Sequence, residues 1–446
     1  MGWVSRSNPA LVEAIVASFH ESTEAVGRRL SRFTAKDWAG TEFWLDTSGL
    51  ALYFLERLQS QDISSAVDAH MVERLRQKRA DNEVRIAQML EEFLAIHRSF
   101  RKAGARYASL KGFTLFPDSC PDLSLRHQSD FDFLVDPRDL ALSCSLLEQH
   151  GYRLTASSPN SLEFKTDGLI RTSLEGQYDV ANRRSAELHV ALDCFEEGRA
   201  QRGTATDPPP RLDSRLDRLH TWEWKGERIP ALCPADQFIG QALHLFAHLR
   251  NEHTRASWLL EFRQHAIARR NDRDFWNAVH ALARAHPDIP VALGLASRLA
   301  ADLFGPFSPP EFDSWTADAL PAKVRLWAER CGRLAVLADV PGTKLYLLLE
   351  DALQDGVNGR SQPPRIRRLI PLRRPDRMLE PAAQETLRLR LRREWIELRF
   401  LLFRLRFHLK QGLLVAREAR RWRRFSASDD DSEESCAVCS CSPHPE

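Results

Sequence analysis

Two carboxylates stand one residue apart within an apolar run, in the stretch "DFDFLV" at residues 130–135. Alternate residues of a β-strand point to the same face, so Asp130 and Asp132 project together while Phe131 and Phe133 project to the other face. Charge is costly to bury without compensation, and two neighbouring carboxylates repel each other unless a cation lies between them. The stretch therefore predicts a β-strand with one apolar face and one face that attracts a cation.

The pattern around this strand predicts an α+β protein. Apolar residues recur at helical spacing over residues 8–105, and Gly104 ends that stretch as a helix C-cap would. Short strand candidates alternate with a helix candidate over residues 105–195, and helical spacing returns after Pro234. We expect a core built on a small mixed β-sheet, with a helical N-terminal segment before it and a C-terminal helical domain after it.

These patterns divide the chain into six predicted regions. A chain of 446 residues is long for a single hydrophobic core, so more than one domain is expected. The first four regions are an N-terminal helical segment (1–104), an α/β core (105–198), a linker with a hairpin (199–232) and a helical domain (233–355). The last two are a basic linker with an amphipathic helix (356–425) and an acidic, disordered tail (426–446).

Composition predicts a cytoplasmic protein. Eight cysteines, scattered apart from three near the C-terminus, fit a reducing compartment, and the N-terminus lacks the long apolar stretch of a secretion signal. No uncharged apolar run approaches the ~20 residues that a membrane-spanning helix needs. The net charge is only +2, so the charge of the whole chain does not indicate a nucleic-acid-binding protein.

Charge is nevertheless strongly polarised towards the C-terminus. Residues 360–424 contain 20 Lys+Arg and 6 Asp+Glu, a balance of +14, whereas residues 426–446 carry −6. Arginines interleave with aromatic and aliphatic side chains over residues 385–425, which fits contact with RNA, contact with an anionic membrane surface, or an amphipathic helix packed on the protein itself. The tail also contains four potential soft-metal ligands, Cys436, Cys439, Cys441 and His444. No second group of such residues accompanies them to form a zinc knuckle, so a disordered tail is favoured over a metal site.

A later strand candidate supplies a third carboxylate. The stretch "AELHVAL" at residues 186–192 places Glu187 and His189 on one face of that strand. Three carboxylates on neighbouring strands are the donor set that a hard divalent ion such as Mg²⁺ prefers. For His189, packing or support of the site is favoured over a direct role, because two-metal phosphate sites depend on carboxylates.

A Lys-Gly pair upstream predicts a phosphate contact. Lys111 and Gly112 follow a short strand candidate. Glycine lets the backbone approach a phosphate closely, and lysine supplies a positive charge. Arg126 lies a few residues before the two aspartates. It could orient the aspartates or a phosphate, and it could equally form a structural ion pair. On the helical segment, His244 and His248 share a helix face, but no HExxH motif accompanies them, so zinc is not expected.

Together these motifs resemble the uncharacterised nucleotidyltransferase family, within the superfamily that has a DNA polymerase beta-like fold. The resemblance covers roughly residues 85–305 and also includes the helical stretch "CPADQFIGQALHLFAHL…ASWLLEF". The matching motifs are "LKG" at 110–112, Arg126, "DFDFLV" at 130–135, "HGY" at 150–152 and "ELH" at 187–189.

The resemblance implies a nucleotidyltransferase core, a reaction and a set of roles. Asp130, Asp132 and Glu187 would bind Mg²⁺ or Mn²⁺, and Lys111 and Gly112 would contact the phosphates of an NTP, with Arg126 beside them. Glu261, where the family often has Asp, would act as a general base or line the cleft, unless it is a surface charge. A nucleoside monophosphate would pass to an acceptor hydroxyl or amine, of a small molecule, peptide, protein or RNA, with release of pyrophosphate.

Two other functions remain open from the sequence. The first is a toxin-like nucleotidyltransferase that modifies tRNA or a protein, since toxins of one abortive-infection system show a similar motif arrangement. The second is a nucleotide-binding or scaffold protein on the same fold without turnover. Phe113 favours the second, because it stands where the wider superfamily has a second small residue beside the phosphates.

Overall fold

The computed structural model describes five stretches of the chain and divides them into two compact units. The described stretches are residues 7–158, 160–167, 177–190, 214–358 and 387–438. The first unit contains everything up to Phe246 together with Arg255–Ala319, and the second contains Ala247–Thr254 together with the chain after Ala319. The predicted helical domain at 233–355 is therefore shared between the two units. Much of the predicted linkers, at 191–213 and 359–386, and the end of the chain at 439–446 lie outside the described residues.

Within residues 7–103, which the structure describes, five α-helices precede the sheet, in the segment that the sequence predicts to be helical. Asn8 caps the first through its side chain, and Gly104 ends the last in a left-handed conformation with φ 74°. Their bounds are α1 Pro9–Ala17, α2 Thr23–Leu30, α3 Ala35–Ser48, α4 Ala51–Ser60 and α5 Ala69–Ala103.

One mixed seven-stranded sheet forms the centre of the first unit. The predicted strands and the helix between them are all present, and the strand order across the sheet is β3-β4-β5-β2-β1-β7-β6. Strands β2 and β5 run parallel, as do β1 and β7, and the other neighbours are antiparallel. The elements are β1 Tyr107–Ser109, β2 Asp130–Val135, α6 Leu140–Gln149, β3 Tyr152–Ser157, β4 Ser161–Thr166, β5 Ser185–Val190, β6 Leu219–Trp224 and β7 Glu227–Leu232.

Aromatic packing fixes α5 against one face of this sheet. Phe131 and Phe133 of β2 are fully buried, and their rings lie 5.8 and 5.9 Å from the ring of Phe93 on α5. Phe113 joins the same core, with its ring 5.3 Å from that of Phe93. Because strand side chains alternate, burial of these phenylalanines directs Asp130 and Asp132 to the opposite face.

The hairpin predicted around Lys225 and Gly226 forms, and it extends the sheet. Both turn residues have positive φ, at 48° and 85°, as a tight two-residue hairpin requires. Strand β7 pairs in parallel with β1 through Ser109 and Ala231. The hairpin is therefore part of the α/β core, whereas the sequence pattern assigns it to the linker that follows the core.

Helices make up the remainder of the first unit. The sequence predicts this helical region through its apolar spacing, and buried side chains such as Phe238, Phe262 and Leu299 follow that spacing. The helices are α7 Pro234–Leu249, whose last residues belong to the second unit, α8 Ala256–Ala268, α9 Arg273–Ala283, α10 Asp288–Phe304 and α11 Pro310–Asp318.

The second unit is built around a long terminal helix. Shorter helices precede it, and the buried Trp327 donates its indole N–H to the carbonyl of Leu345 at 2.9 Å. The terminal helix continues to Val438, past residue 426 where the sequence predicts a disordered tail to begin. Among the residues that the structure describes, no helix is long and apolar enough to cross a membrane. The helices are α12 Ala322–Trp327, α13 Arg333–Val336, α14 Tyr346–Asn358 and α15 Leu387–Val438.

Candidate functional site

The parallel pairing of β2 and β5 brings carboxylates from two distant parts of the chain together. In this register Asp132 lies directly opposite Glu187. Residues opposite each other in neighbouring strands share a face, so both side chains project away from the phenylalanine core. His189, two residues after Glu187, projects to the same face.

Three of these side chains form a compact cluster of potential metal ligands. One ligand atom each from Asp132, Glu187 and His189 lies within 4.8 Å of the others. The Nε2 atom of His189 is 3.1 Å from a carboxylate oxygen of Asp132 and 3.6 Å from one of Glu187. Asp132 is 8% exposed and the other two side chains about a third exposed, at 33% and 29%. The cluster is therefore buried at Asp132 and accessible to solvent at Glu187 and His189.

Lys111 completes the cluster on the side of β1. Its ammonium lies 3.7 Å from a carboxylate oxygen of Asp132. Burial alone would raise the pKa of Asp132, but the charge of Lys111 and the hydrogen bond from His189 outweigh that effect and hold the pKa well below its usual range. Lys111 and His189 thus favour the ionised form of Asp132.

Asp130 lies on the same strand face but outside the compact cluster. Burial raises its pKa above the usual range, and the negative charge of Asp132 raises it further. Arg126, Lys111 and Arg255 offset part of that increase. An additional cation between Asp130 and Asp132 would therefore stabilise the ionised form of Asp130.

Gly112 forms the turn that holds Lys111 in place. Its φ is +67°, and a Cβ atom at this position would overlap the side-chain amide of Gln128. Gln128 in turn donates to the backbone carbonyl of Asp130 at 2.9 Å. A glycine is therefore required by local packing. The segment that begins with it is a single 3-10 turn, Gly112–Leu115.

Phe113 does not point towards the site. Its side chain is 1% exposed and packs between Phe93 and Phe131, on the apolar face of the sheet. The bulk of this residue thus lies away from Lys111 and Asp132. The bulk of Phe113 therefore gives no reason to favour a non-catalytic protein.

Arg126 and Glu261 form a buried ion pair beneath the site. The guanidinium Nε of Arg126 is 3.3 Å from a carboxylate oxygen of Glu261, which also accepts a hydrogen bond from Tyr53 at 3.0 Å. Burial would lower the pKa of Arg126, but Glu261 outweighs it, so that pKa is raised. Glu261 is only 3% exposed, so its assignment as a surface charge is wrong.

Helix α5 holds the segment that carries Arg126. Asn82, which is fully buried, donates to the carbonyl of Ser124 at 2.7 Å and to that of Arg126 at 3.1 Å. One turn further along, Arg85 donates to the carbonyl of Gln128 at 2.9 Å. These bonds satisfy backbone groups of an irregular segment just before β2, and so they fix where that strand begins.

Two site residues are missed or underestimated by sequence reasoning. His189 is a member of the ligand cluster, and its position two residues after Glu187 was the available signal. Arg255 is half-buried at the start of α8, with its guanidinium 5.6 Å from the centre of the Trp258 ring. Burial and repulsion from Arg126 lower its pKa, while Asp130 raises it. No local motif marks this arginine.

His244 and His248 do not form a metal site. Within the described stretches, Asp132, Glu187 and His189 are the group of three or more side chains arranged to hold an ion, and neither of these histidines belongs to it. The ring of His244 instead packs against Trp258, with 4.6 Å between ring centres.

Comparison with known proteins agrees with the motifs. The family described as uncharacterised nucleotidyltransferases matches residues 34–305, which is more than half of the chain, so the protein belongs to this family. No curated protein matches the chain. Among solved structures, an antigenic nucleotidyltransferase-like protein from Paracoccidioides brasiliensis is similar at 13% sequence identity and a TM-score of 0.27, covering 51% of this chain and 96% of that one.

Proposed function

We propose that this protein is a metal-dependent nucleotidyltransferase that transfers a nucleoside monophosphate from an NTP to an acceptor hydroxyl or amine. The observation that carries the proposal is the cluster of Asp132, Glu187 and His189, with the ammonium of Lys111 3.7 Å from Asp132. Carboxylates that can bind a metal ion thus lie beside an ammonium group that can bind a phosphate. Membership of the nucleotidyltransferase family supports the same class of reaction.

The donor atoms fit a divalent ion. Asp132 and Glu187 offer carboxylate oxygens, which suit Mg²⁺ and Mn²⁺, and His189 offers an imidazole nitrogen, which suits Mn²⁺ better than Mg²⁺. Asp130, whose pKa is raised by burial and by Asp132, would be the further carboxylate that an ion recruits. When bound, such an ion would polarise the phosphate oxygens and neutralise charge on the departing pyrophosphate.

Three cationic side chains, Lys111, Arg126 and Arg255, lie around Asp130. Lys111 is a third exposed and Arg255 is half-buried, whereas Arg126 is held in place by Glu261. We assign the phosphate contacts to Lys111 and Arg255, and to Arg126 an electrostatic role from beneath the site. Glu261 then serves to position Arg126, in place of the general-base role implied by the family resemblance.

The proposed reaction is an in-line displacement at the α-phosphorus. The acceptor oxygen or nitrogen forms a bond to this phosphorus, and the bond from the phosphorus to the bridging oxygen breaks. Pyrophosphate leaves with that electron pair, and the acceptor proton passes to solvent. The site contributes by fixing the orientation of the phosphates and by excluding alternative geometries, which is the main source of catalysis in phosphoryl transfer.

Label transfer from α-³²P NTPs tests the proposal. The protein is incubated with each NTP, Mg²⁺ or Mn²⁺ and candidate acceptors, including itself and tRNA, while pyrophosphate release is followed in parallel. We expect transfer that is abolished when Asp130→Asn and Asp132→Asn are combined. Asp167→Asn is the matched control, because this carboxylate is 79% exposed and forms a surface ion pair with Arg153. Transfer that survives the double substitution would contradict the assigned site.

Two further measurements, combined with label transfer, separate the two alternative functions. Binding of NTP with its ion in calorimetry, without pyrophosphate release for any acceptor, would favour a non-catalytic nucleotide-binding protein. Transfer to tRNA with salt-dependent tRNA binding that is lost on deletion of residues 385–425 would favour a toxin-like enzyme.

A further inference from the structure

The terminal helix α15 (Leu387–Val438) carries an unusual number of exposed apolar side chains. Their exposed fractions range from 38% for Leu401 to 76% for Leu413. With ~100° of rotation per residue, nine of them fall within about 120° of the helix circumference. We call these nine the apolar strip: Leu387, Leu391, Trp395, Leu398, Leu401, Leu402, Leu405, Leu409 and Leu413.

A row of cations borders the strip along one side. These residues occupy the next ~60° of the circumference, and every one of them is exposed. We call them the basic row: Arg388, Arg392, Arg399, Arg406, Lys410, Arg417 and Arg421. Glu394 lies inside the arc of the strip, and the guanidinium of Arg393 is 3.2 Å from its carboxylate and 3.5 Å from that of Glu397.

The remaining face of the helix packs within the second unit. Phe407, Val415 and Trp422 on this face are buried, and Arg404 forms an ion pair with Glu252 at 2.7 Å. The side chain of Gln411 accepts a hydrogen bond from the backbone N–H of Lys344. The helix therefore has a docked face that fixes its orientation, and the strip and the basic row are presented together on the outside.

We infer that this outer face binds the surface of an anionic lipid bilayer. A helix with leucines on one side and arginines at their border lies in the plane of the interface, with the leucines among the acyl chains and the arginines at the headgroups. From Leu387 to Leu413 the strip is roughly 39 Å long at 1.5 Å per residue, which is long enough for extended contact along the surface.

Two other occupants fit this face less well. RNA binding depends on phosphate contacts and on flat side chains that stack with bases, yet eight of the nine strip residues are leucines, which cannot stack. A second copy of the chain docked antiparallel through the strip would bring a second, equally basic row to the same border. The inference does not depend on nucleotidyl transfer, since no residue of the proposed active site takes part.

Vesicle flotation with the full-length protein tests the inference. We expect the protein to float with vesicles of phosphatidylcholine and phosphatidylglycerol, to float poorly with phosphatidylcholine alone, and to be released by high salt. Leu391→Ser, Leu402→Ser and Leu409→Ser combined should weaken binding at least about tenfold, since buried apolar area drives insertion. Arg388→Gln, Arg392→Gln and Lys410→Gln combined should have a similar effect on anionic vesicles.

Matched substitutions elsewhere on the surface are the controls. The apolar control combines Val84→Ser, Leu154→Ser and Leu334→Ser, at residues whose exposure is 54%, 52% and 53%. The charge control combines Arg76→Gln, Arg153→Gln and Arg228→Gln, which removes the same charge from exposed positions. Both controls should bind vesicles as the unsubstituted protein does.

Several outcomes would overturn the inference. One is failure to float with anionic vesicles, and another is binding that the leucine substitutions leave unchanged. Sedimentation velocity and RNA gel-shift measurements address the other occupants directly. A dimer that the leucine substitutions dissociate would identify a second copy as the occupant, whereas RNA binding without vesicle binding would identify a nucleic acid.

Discussion

At the scale of single residues, the pairing of Arg126 with Glu261 links two parts of the chain that sequence motifs treat separately. The pair is buried, and Tyr53 donates a hydrogen bond to the same carboxylate. A buried charge whose partner is removed is left uncompensated, which costs far more than the net contribution of the intact pair. The pair should therefore matter for stability even if it never contacts a substrate.

We expect Glu261→Gln to lower the free energy of unfolding by about 3–5 kcal/mol, because Arg126 loses its counter-charge. Arg126→Met should have an effect of similar size, and the double substitution should cost clearly less than the sum of the two. Tyr53→Phe, which removes one hydrogen bond to the carboxylate, should cost only about 1 kcal/mol. Urea unfolding at neutral pH measures all four variants, and additive effects would show that the two groups are not paired in solution.

Sequence reasoning predicted the strand residues of the site better than the rest. A period of two places Asp130 with Asp132 and Glu187 with His189, and the structure has both strands with those faces outward. The ion pair of Arg126 with Glu261 spans 135 positions in the chain, and no local pattern encodes such a contact. Arg255 escaped notice for the same reason.

At the scale of elements, the turn after β1 determines where Lys111 stands. Gly112 and Gly151 both adopt positive φ, at +67° and +82°, but only at Gly112 would a Cβ meet a neighbouring group, the amide of Gln128. A substitution at Gly151 therefore tests backbone strain alone, whereas a substitution at Gly112 tests backbone strain together with a steric overlap.

Gly151→Ala should destabilise the protein by about 1 kcal/mol through its backbone conformation alone. Gly112→Ala should cost at least about 1 kcal/mol more, since Gln128 must move as well, and it should also weaken binding of NTP in calorimetry. Thermal unfolding and NTP titration of both variants are the measurements. Equal costs for the two substitutions would argue against the close approach of Gln128.

Local patterns predicted most elements but not how they join. Every strand proposed between Tyr107 and Val190 is present, since each is a short alternating run between turn residues. The segment after Lys111 is only a 3-10 turn, because Pro117 favours an extended conformation at Phe116 and a helix cannot continue there. That the β6–β7 hairpin joins the sheet follows from its pairing with β1, a contact between distant residues.

At the scale of the whole molecule, the half-buried His127 and the buried His265 couple the stability of the first unit to pH. Burial lowers the pKa of His127 to about 3, helped by Arg255 and Arg85. Burial also lowers the pKa of His265 to about 4, although Asp118 partly opposes it. The unfolded chain binds protons at these groups below about pH 6.5, and the folded chain does not. Stability should therefore fall as the pH drops from about 6.5 towards 4.

Each of these histidines should contribute up to about 1.4 kcal/mol of lost stability per pH unit in that window. His265→Gln should reduce the difference in unfolding free energy between pH 7 and pH 5, whatever its effect at pH 7. His70→Gln, at an exposed position, should leave that difference unchanged. Urea unfolding at the two pH values provides the comparison, and an unaltered difference in His265→Gln would contradict the prediction.

The pairing of β2 with β5 also disfavours a one-residue shift in their register during folding. A slip of one residue in this register would turn Glu187 into the phenylalanine core and push Ala186 and Leu188, both fully buried, out towards Lys111. Such a mispaired sheet would bury a carboxylate and expose leucine at once, so it is strongly disfavoured. The apolar side of the sheet thus selects, during folding, the one alignment in which Asp132 and Glu187 meet.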